Sequence, residues 1–293
     1  MILRGIEMIQ TKTVELVGQV VFWNCASSSN RQKIVDGISE TGIKNCDPPE
    51  RTAIAAARIA LEDATHAKGC IVRPLEKNIG LVALQERQGQ EENQYEPVVF
   101  VHVNDDGITK IGFPGVRDYS EQTAIETTIR SRFSSAIVEC DQNHIGKSLA
   151  NLVRHLGGVM LKPNGGVYWL PAYSDSLWAK VVKIFEGAAL KGTTMVHAIQ
   201  TAKDDAAVRA IHESLRKEVE ERVAEIKEEI VSKGNKGLRK DAVVARTNEL
   251  KALLGKIGSY ESLLEGSLAD LKQVITECET TTGLAVLYES LAS

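Results

Sequence analysis

Bulk positive charge is the first thing this sequence lacks. Lys and Arg total 35 against 39 Asp and Glu, a net charge of -4. That excludes a protein that coats nucleic acid by charge alone and leaves only local basic patches for such a role. Cysteine is sparse: Cys25, Cys46, Cys70, Cys140 and Cys278 make five, scattered and never spaced as CxxC. Neither a disulfide framework nor a cysteine zinc site is expected, and the thiols read as reduced residues of a cytoplasmic protein. Long apolar runs are missing too. Met1 to Gly18 mixes Arg4, Glu7, Lys12 and Glu15 among apolar residues, so neither a signal peptide nor a membrane-spanning helix is expected.

Catalytic signatures are equally thin. The six histidines show no HxH or HExxH spacing, and there is no GxSxG elbow or GxGxxG loop. Gly146-Lys147-Ser148 resembles the end of a phosphate-binding loop, but that motif needs Gly at position 141, which is Asp. His102-Val103-Asn104-Asp105-Asp106 gathers a histidine and two carboxylates, yet Asp105-Asp106-Gly107 is sufficient as a turn. No catalytic, metal or cofactor residue is therefore predicted, and the reading points away from the common enzyme classes. An enzyme with a site dispersed over a sheet near His102 stays as the third option.

What is present is periodicity. Val208, Ile211, Leu215, Val219, Val223, Ile226 and Ile230 recur at steps of three and four, and so do Leu250, Leu253, Ile257, Tyr260, Leu264, Leu268, Leu271 and Ile275. Each set lies on one helix face and must be buried. The nearest cover for each stripe is the other, which predicts two long antiparallel helices, a coiled-coil-like hairpin, reversing at Gly234-Asn235-Lys236-Gly237. Gly255, Gly258 and Gly266 weaken the second helix, and a kink or break is expected near Gly258-Ser259. Thr201-Ala202-Lys203-Asp204 reads as a capping box for the first helix, and Glu213–Lys217, Glu218–Arg222 and Glu229–Lys233 as its i,i+4 ion pairs. A last apolar segment, Leu284 to Leu291, is expected to dock back or to mediate self-association.

Upstream, Val14 to Trp23 reads as a strand, Ala26 to Asn30 as a capping turn, and Asp47-Pro48-Pro49-Glu50 as the start of a helix from Arg51 to about His66. Four short apolar runs between Cys70 and Phe113 predict an antiparallel meander, with the first strand joining its edge. Helices follow at about Asp118–Ala136 and Asp141–Leu156. Val159-Met160-Leu161 and Val167-Tyr168-Trp169-Leu170 then flank a turn as a β-hairpin. The expected class is α+β: a mainly antiparallel sheet with packed helices over residues 1–200, then a helical hairpin arm and C-terminal tail over 201–293.

Two functional readings follow. In the first the chain is a non-enzymatic interaction or self-assembly protein whose arm binds a protein partner or a second copy through Leu250, Leu253, Ile257, Leu264 and Leu268. In the second it binds nucleic acid, in regulation or replication. Residues 141–171 then form a helix followed by a wing. Lys147, Arg154 and Lys162 would contact phosphate, joined by Lys236, Arg239 and Lys240 at the tip of the arm. Packing of Tyr168 and Trp169 in a small sheet competes with that reading.

The stretch Leu161-Lys162-Pro163-Asn164-Gly165-Gly166-Val167-Tyr168-Trp169-Leu170-Pro171 resembles a motif in a family of uncharacterised proteins from phages, plasmids and prokaryotic genomes. Those proteins carry Gly-Gly-x-Tyr-x-x-Pro at mid-chain and a long helical C-terminus. The N-terminal strand and Arg51-Thr52 after prolines are also similar. The resemblance implies a mobile-element origin and no catalytic residues.

Overall fold

The structure, a computed structural model, describes residues 15–77, 79–87, 94–116, 118–162, 166–232 and 240–292, and leaves out the side chains of 230, 231, 240 and 281–292. The chain divides into two interleaved compact units. One takes in the chain up to Trp23, Ala150–Ala179 and Val196 onward; the other takes in Asn24–Leu149 and Lys180–Met195. The class is α+β, with antiparallel sheets and packed helices. The boundary expected near residue 200 gives way to this interleaving, because the C-terminal helices share a unit with two upstream stretches.

In the first unit, β1 (Leu16–Asn24), β8 (Val159–Met160), β9 (Val167–Pro171) and β11 (Met195–Ala202) form a sheet in the order β11-β1-β9-β8. The first strand therefore leaves the meander and pairs antiparallel with β9, from Gly18 opposite Pro171 to Phe22 opposite Val167. Gly18 makes that pairing fit, since a Cβ there would stand 2.1 Å from the Leu170 carbonyl oxygen and 2.6 Å from the Trp169 ring.

Three helices lie against this sheet: α6 (Asp205–Ser232), α7 (Lys240–Leu264) and α8 (Ala269–Ala292). Asp204 alone caps α6, its carboxylate accepting from the Ala206 and Ala207 amides, while Thr201 belongs to β11. The predicted second helix is two. It breaks seven residues after Gly258, where Glu265 takes a left-handed φ of 52° and the Glu261 carboxylate accepts the Leu268 amide. Ion pairs Glu218–Lys256, Arg222–Glu249 and Glu229–Arg246 show α6 and α7 running antiparallel. Their stripes are not left to each other. Leu215 and Val219 of α6, Ile257 and Tyr260 of α7, Leu271 and Ile275 of α8, and Val17, Val159 and Trp169 of the sheet share one core. The reversal at Gly234–Gly237 lies outside the described residues, and of Leu284–Leu291 only the helical backbone is described.

In the second unit, β3 (Ile71–Glu76), β4 (Gly80–Arg87), β5 (Gln94–Asn104) and β6 (Gly107–Gly112) form the antiparallel meander in sequence order. Asn104 closes its last turn by accepting from the Asp106 and Gly107 amides. Helices α2 (Ala53–Thr65) and α3 (Tyr119–Val138) cover one face. Small Ala57 and Ala60 are fully buried there, which lets α2 pack close. Thr52 caps α2, so the helix starts two residues after Arg51. Arg51 instead turns inward: its guanidinium donates to the Ala136 carbonyl at 2.7 Å and reaches Asp141 at 3.4 Å. Asp141 in turn caps α4 (Gln142–His155) through the Asn143 and His144 amides. The expected turn at Ser28–Asn30 is a strand, β2, inserted between β7 (Glu139–Cys140) and β10 (Ala189–Lys191). Asn30 then caps α1 (Arg31–Glu40). Two helices, α4 and α5 (Asp175–Gly187), have residues in both units.

The glycines of the first unit give a two-sided test. Gly18→Ala is expected to lower unfolding free energy by about 2 kcal/mol through forced repacking. Gly255→Ala and Gly258→Ala, where a Cβ meets nothing within 4 Å, are expected to raise it by about 0.5–1 kcal/mol each. Urea unfolding of the three variants measures this, and a neutral Gly18→Ala would contradict the strand pairing.

Candidate functional site

The residues expected to meet a partner are spent inside. Leu250 and Ile257 are 0% exposed, Leu264 5%, Leu268 3% and Leu253 8%. The physical reason is cover: α8 and the sheet close the seam that a bare two-helix arm would leave open. The expected wing is likewise not free, because β9 is paired on both sides, to β8 and to β1. Tyr168 and Trp169 are buried packing residues. Lys147, Arg154 and Lys162 are exposed, but Lys147 belongs to the other unit. Lys236 and Arg239 lie outside the described residues, as does the side chain of Lys240.

Sequence reasoning missed a groove of about 830 Å³ in the first unit. Its apolar lining is Met160 and Leu161 from the hairpin, Tyr168 of β9 and Leu253 of α7; its charged lining is chiefly α6. The spacing explains the wall: Ser214, Lys217, Glu218, Glu221, Arg222 and Glu225 follow at alternating steps of three and one along one side of α6. Five glutamates line the groove, 213, 218, 221, 225 and 249, against three cations, Arg154, Lys217 and Arg222. Arg154, expected on phosphate, thus stands among carboxylates.

Some ion pairs run along α6, Lys217 with Glu221 rather than the expected Glu213. Glu218 and Arg222, expected to pair with each other, reach across to α7 instead, and Lys233, expected to pair with Glu229, lies outside the described residues. Arg222 bonds Glu249 of α7 and Glu225, and Glu249 also accepts from Arg246 at 3.0 Å. Burial pushes the Glu249 carboxyl up, but the two guanidiniums outweigh it and hold its pKa below the ordinary 4.5. Glu218 takes Lys256 at 2.7 and 2.9 Å, and the same ammonium donates to the Gly158 carbonyl at 2.9 Å. Burial draws the Lys256 ammonium below its usual pKa against the pull of Glu218. One turn on, the Tyr260 hydroxyl donates to the Gly157 carbonyl at 2.7 Å. A signal for this was present: Lys256 falls on the apolar stripe, between Leu253 and Tyr260.

The family model that matches this chain covers residues 16–288. The chain belongs to DUF6744, a family of unknown function. No curated protein and no solved structure matches it. Membership agrees with the resemblance to an uncharacterised family, and it brings no residue roles to this member.

Several other chemistry-bearing groups of this family member are held in structural tasks. Burial pushes the Cys25 and Cys140 thiols up to about 11, so neither is a thiolate near neutral pH. Ser148 of the Gly-Lys-Ser run lies within α4 and donates its hydroxyl to the Cys46 carbonyl. Among the described residues no three His, Cys, Asp or Glu side chains gather as a metal site, and no helix is long and apolar enough to cross a membrane. A second cavity, about 580 Å³ at the start of α2, includes Arg51 and Arg58. Both are engaged, Arg51 as above and Arg58 with the Val72 carbonyl and Glu62.

The lowered Glu249 pKa carries a pH signature. A carboxylate with a depressed folded pKa contributes stability that is present above its unfolded value near 4.5 and is lost as pH falls through the folded pKa. Glu249→Gln is expected to flatten that acid limb and to cost about 1 kcal/mol at neutral pH, Glu249 being about a third exposed and so partly screened. Urea unfolding between acid and neutral pH measures both; parallel curves for variant and parent would contradict it.

Proposed function

We propose that this chain is a non-enzymatic interaction protein, carried by a phage or other mobile element and working in the host cytoplasm. Its groove along α6 takes a cationic segment of a protein partner. The observation that carries the reading is the lining of the groove: five glutamates and three cations, with Lys256 and Arg246 of α7 pairing Glu218 and Glu249, exposed Glu213 and Glu221 at its rim, and an apolar set of Met160, Leu161, Tyr168 and Leu253. A basic peptide with apolar side chains matches both features, since complementary potential steers the encounter and the apolar residues supply contact area. The mobile-element origin is supported by the Gly-Gly-x-Tyr-x-x-Pro resemblance alone. The leucine seam supports no docking of a second copy, because the chain itself covers it.

Binding of a labelled Lys/Leu peptide to the full chain tests this, with a Glu/Leu peptide of the same length as control. The Lys/Leu peptide is expected to bind, more weakly as salt rises, and the exposed-site double variant Glu213→Lys/Glu221→Lys to lose about tenfold in affinity. Equal binding of both peptides, or an unaffected double variant, would overturn the proposal.

A further inference from the structure

The meander has a second face. Its buried residues Val72, Leu81, Ala83, Val99, Val101 and Val103 point toward α2 and α3. Side chains alternate along strands, so the intervening residues point the other way. Register lines these up in rows. Arg73 stands opposite Val82, Val82 opposite Phe100, and Phe100 opposite Gly112. In the next row Gly80 stands opposite His102 and His102 opposite Lys110. Beyond a bulge, Tyr95 pairs with Glu86, which shares the face of Val82. Three rings of β5 therefore share one face with two cations.

The rings are exposed to different degrees. Tyr95 is 50% exposed; Phe100 and His102 are half-buried, and Arg73 and Lys110 are exposed. The Phe100 ring occupies the space a side chain at 112 would fill: a Cβ there would be 2.2 Å from the ring. Glycine at 112 thus lets the ring settle against the sheet. Buried Gly80 lies beside the His102 ring: a Cβ there would be 3.6 Å from His102 Cε1 and 3.5 Å from the Leu75 Cβ. The His102 ring meets Phe100 edge-on, with centroids 5.4 Å apart at 88°, and the Lys110 ammonium sits 5.5 Å from the Phe100 centroid.

We propose that this face binds single-stranded nucleic acid, with bases stacking on Tyr95, Phe100 and His102 and with Arg73 and Lys110 meeting the phosphates. Phe100 and His102 are two residues apart, about 7 Å along the strand, which places neighbouring unstacked bases within reach of both. Sheet-borne aromatics serve this purpose because every base has a π-face, and nearby cations track the backbone. An acidic peptide would use the cations and leave the rings without planar partners. A duplex keeps its bases stacked inside and offers the rings nothing. Among the described residues two carboxylates stand in these rows: Glu86 at the Tyr95 end, and Glu76 opposite Gly80 in the row of His102 and Lys110. This site lies on different residues from the groove and from the helix–hairpin unit 141–171.

The test is fluorescence anisotropy of labelled single-stranded oligo(dT) and oligo(U), each about 20 nucleotides, on the full chain. A duplex of equal length and a poly-glutamate competitor are the controls. Both single strands are expected to bind at low salt and to weaken as salt rises. Tyr95→Ala is expected to weaken binding about fivefold or more, and Arg73→Glu/Lys110→Glu about tenfold or more with a shallower salt dependence. Circular dichroism and thermal unfolding confirm that the variants fold, and the exposed Tyr95 variant serves as the test if the charge pair does not. The proposal is overturned if neither single strand binds at low salt, if folded variants bind like the parent, if the duplex binds as tightly, or if poly-glutamate displaces what the oligonucleotides do not.

Discussion

One turn of α7 holds the helices of the first unit to its sheet. Lys256 and Tyr260, four residues apart on one helix face, donate to the consecutive carbonyls of Gly158 and Gly157. Those carbonyls follow the end of α4, where Gly157 has a φ of 82° and Gly158 packs against the Trp169 carbonyl and Leu170. Between the two donors Ile257 enters the core at 0% exposure, and Tyr260 meets Trp169 edge-on with centroids 5.5 Å apart. A buried ammonium is costly unless its protons are satisfied, and this one has a carbonyl and both oxygens of Glu218. The same contact draws α6 toward α7, and α6 supplies the charged side of the groove.

This arrangement makes the groove a consequence of the core. The apolar stripes of α6 and α7 are consumed internally, so the outward side of α6 is left with glutamates. Their number exceeds the cations lining the groove; Arg222 is drawn across to Glu249 of α7, while Lys256 of α7 reaches back to Glu218. What remains for a partner is negative potential beside a few apolar residues of the hairpin. The proposed cationic segment would answer both, whereas a phosphate would meet repulsion there. The proposed single strand is assigned instead to the outer face of the meander, where rings and cations share rows.

Local patterns were legible in the sequence, and partners across the fold were not. The meander strands could be read because each alternates or is β-branched and each is bounded by turn residues. The helical stripes could be read because a three-and-four period has a single burial solution. That β1 pairs with β9 depends on Gly18 admitting the Trp169 ring, a contact between residues about 150 positions apart that no local pattern encodes. The helix break was placed at Gly258, but propensity is a weak prior. The chain turned instead where Glu261 could accept the Leu268 amide. The same holds for ion pairs: sequence spacing shows the neighbour on the helix, which Lys217 takes in Glu221, and hides the partner on α7 that Arg222 and Glu218 take. The groove was invisible because it is made of side chains from β8, β9, α6 and α7, yet Lys256 in an apolar stripe was a visible clue.

The most direct measurement of this account is the unfolding free energy of Lys256→Met, with Glu218→Gln added in the same background. The α7 grip predicts a loss of about 3 kcal/mol in the single variant, from a carboxylate and a carbonyl left without their cation, and partial recovery when Glu218 is neutralised. A single variant as stable as the parent, or a second substitution that merely adds its own loss, would show that the helices are held to the sheet by something else.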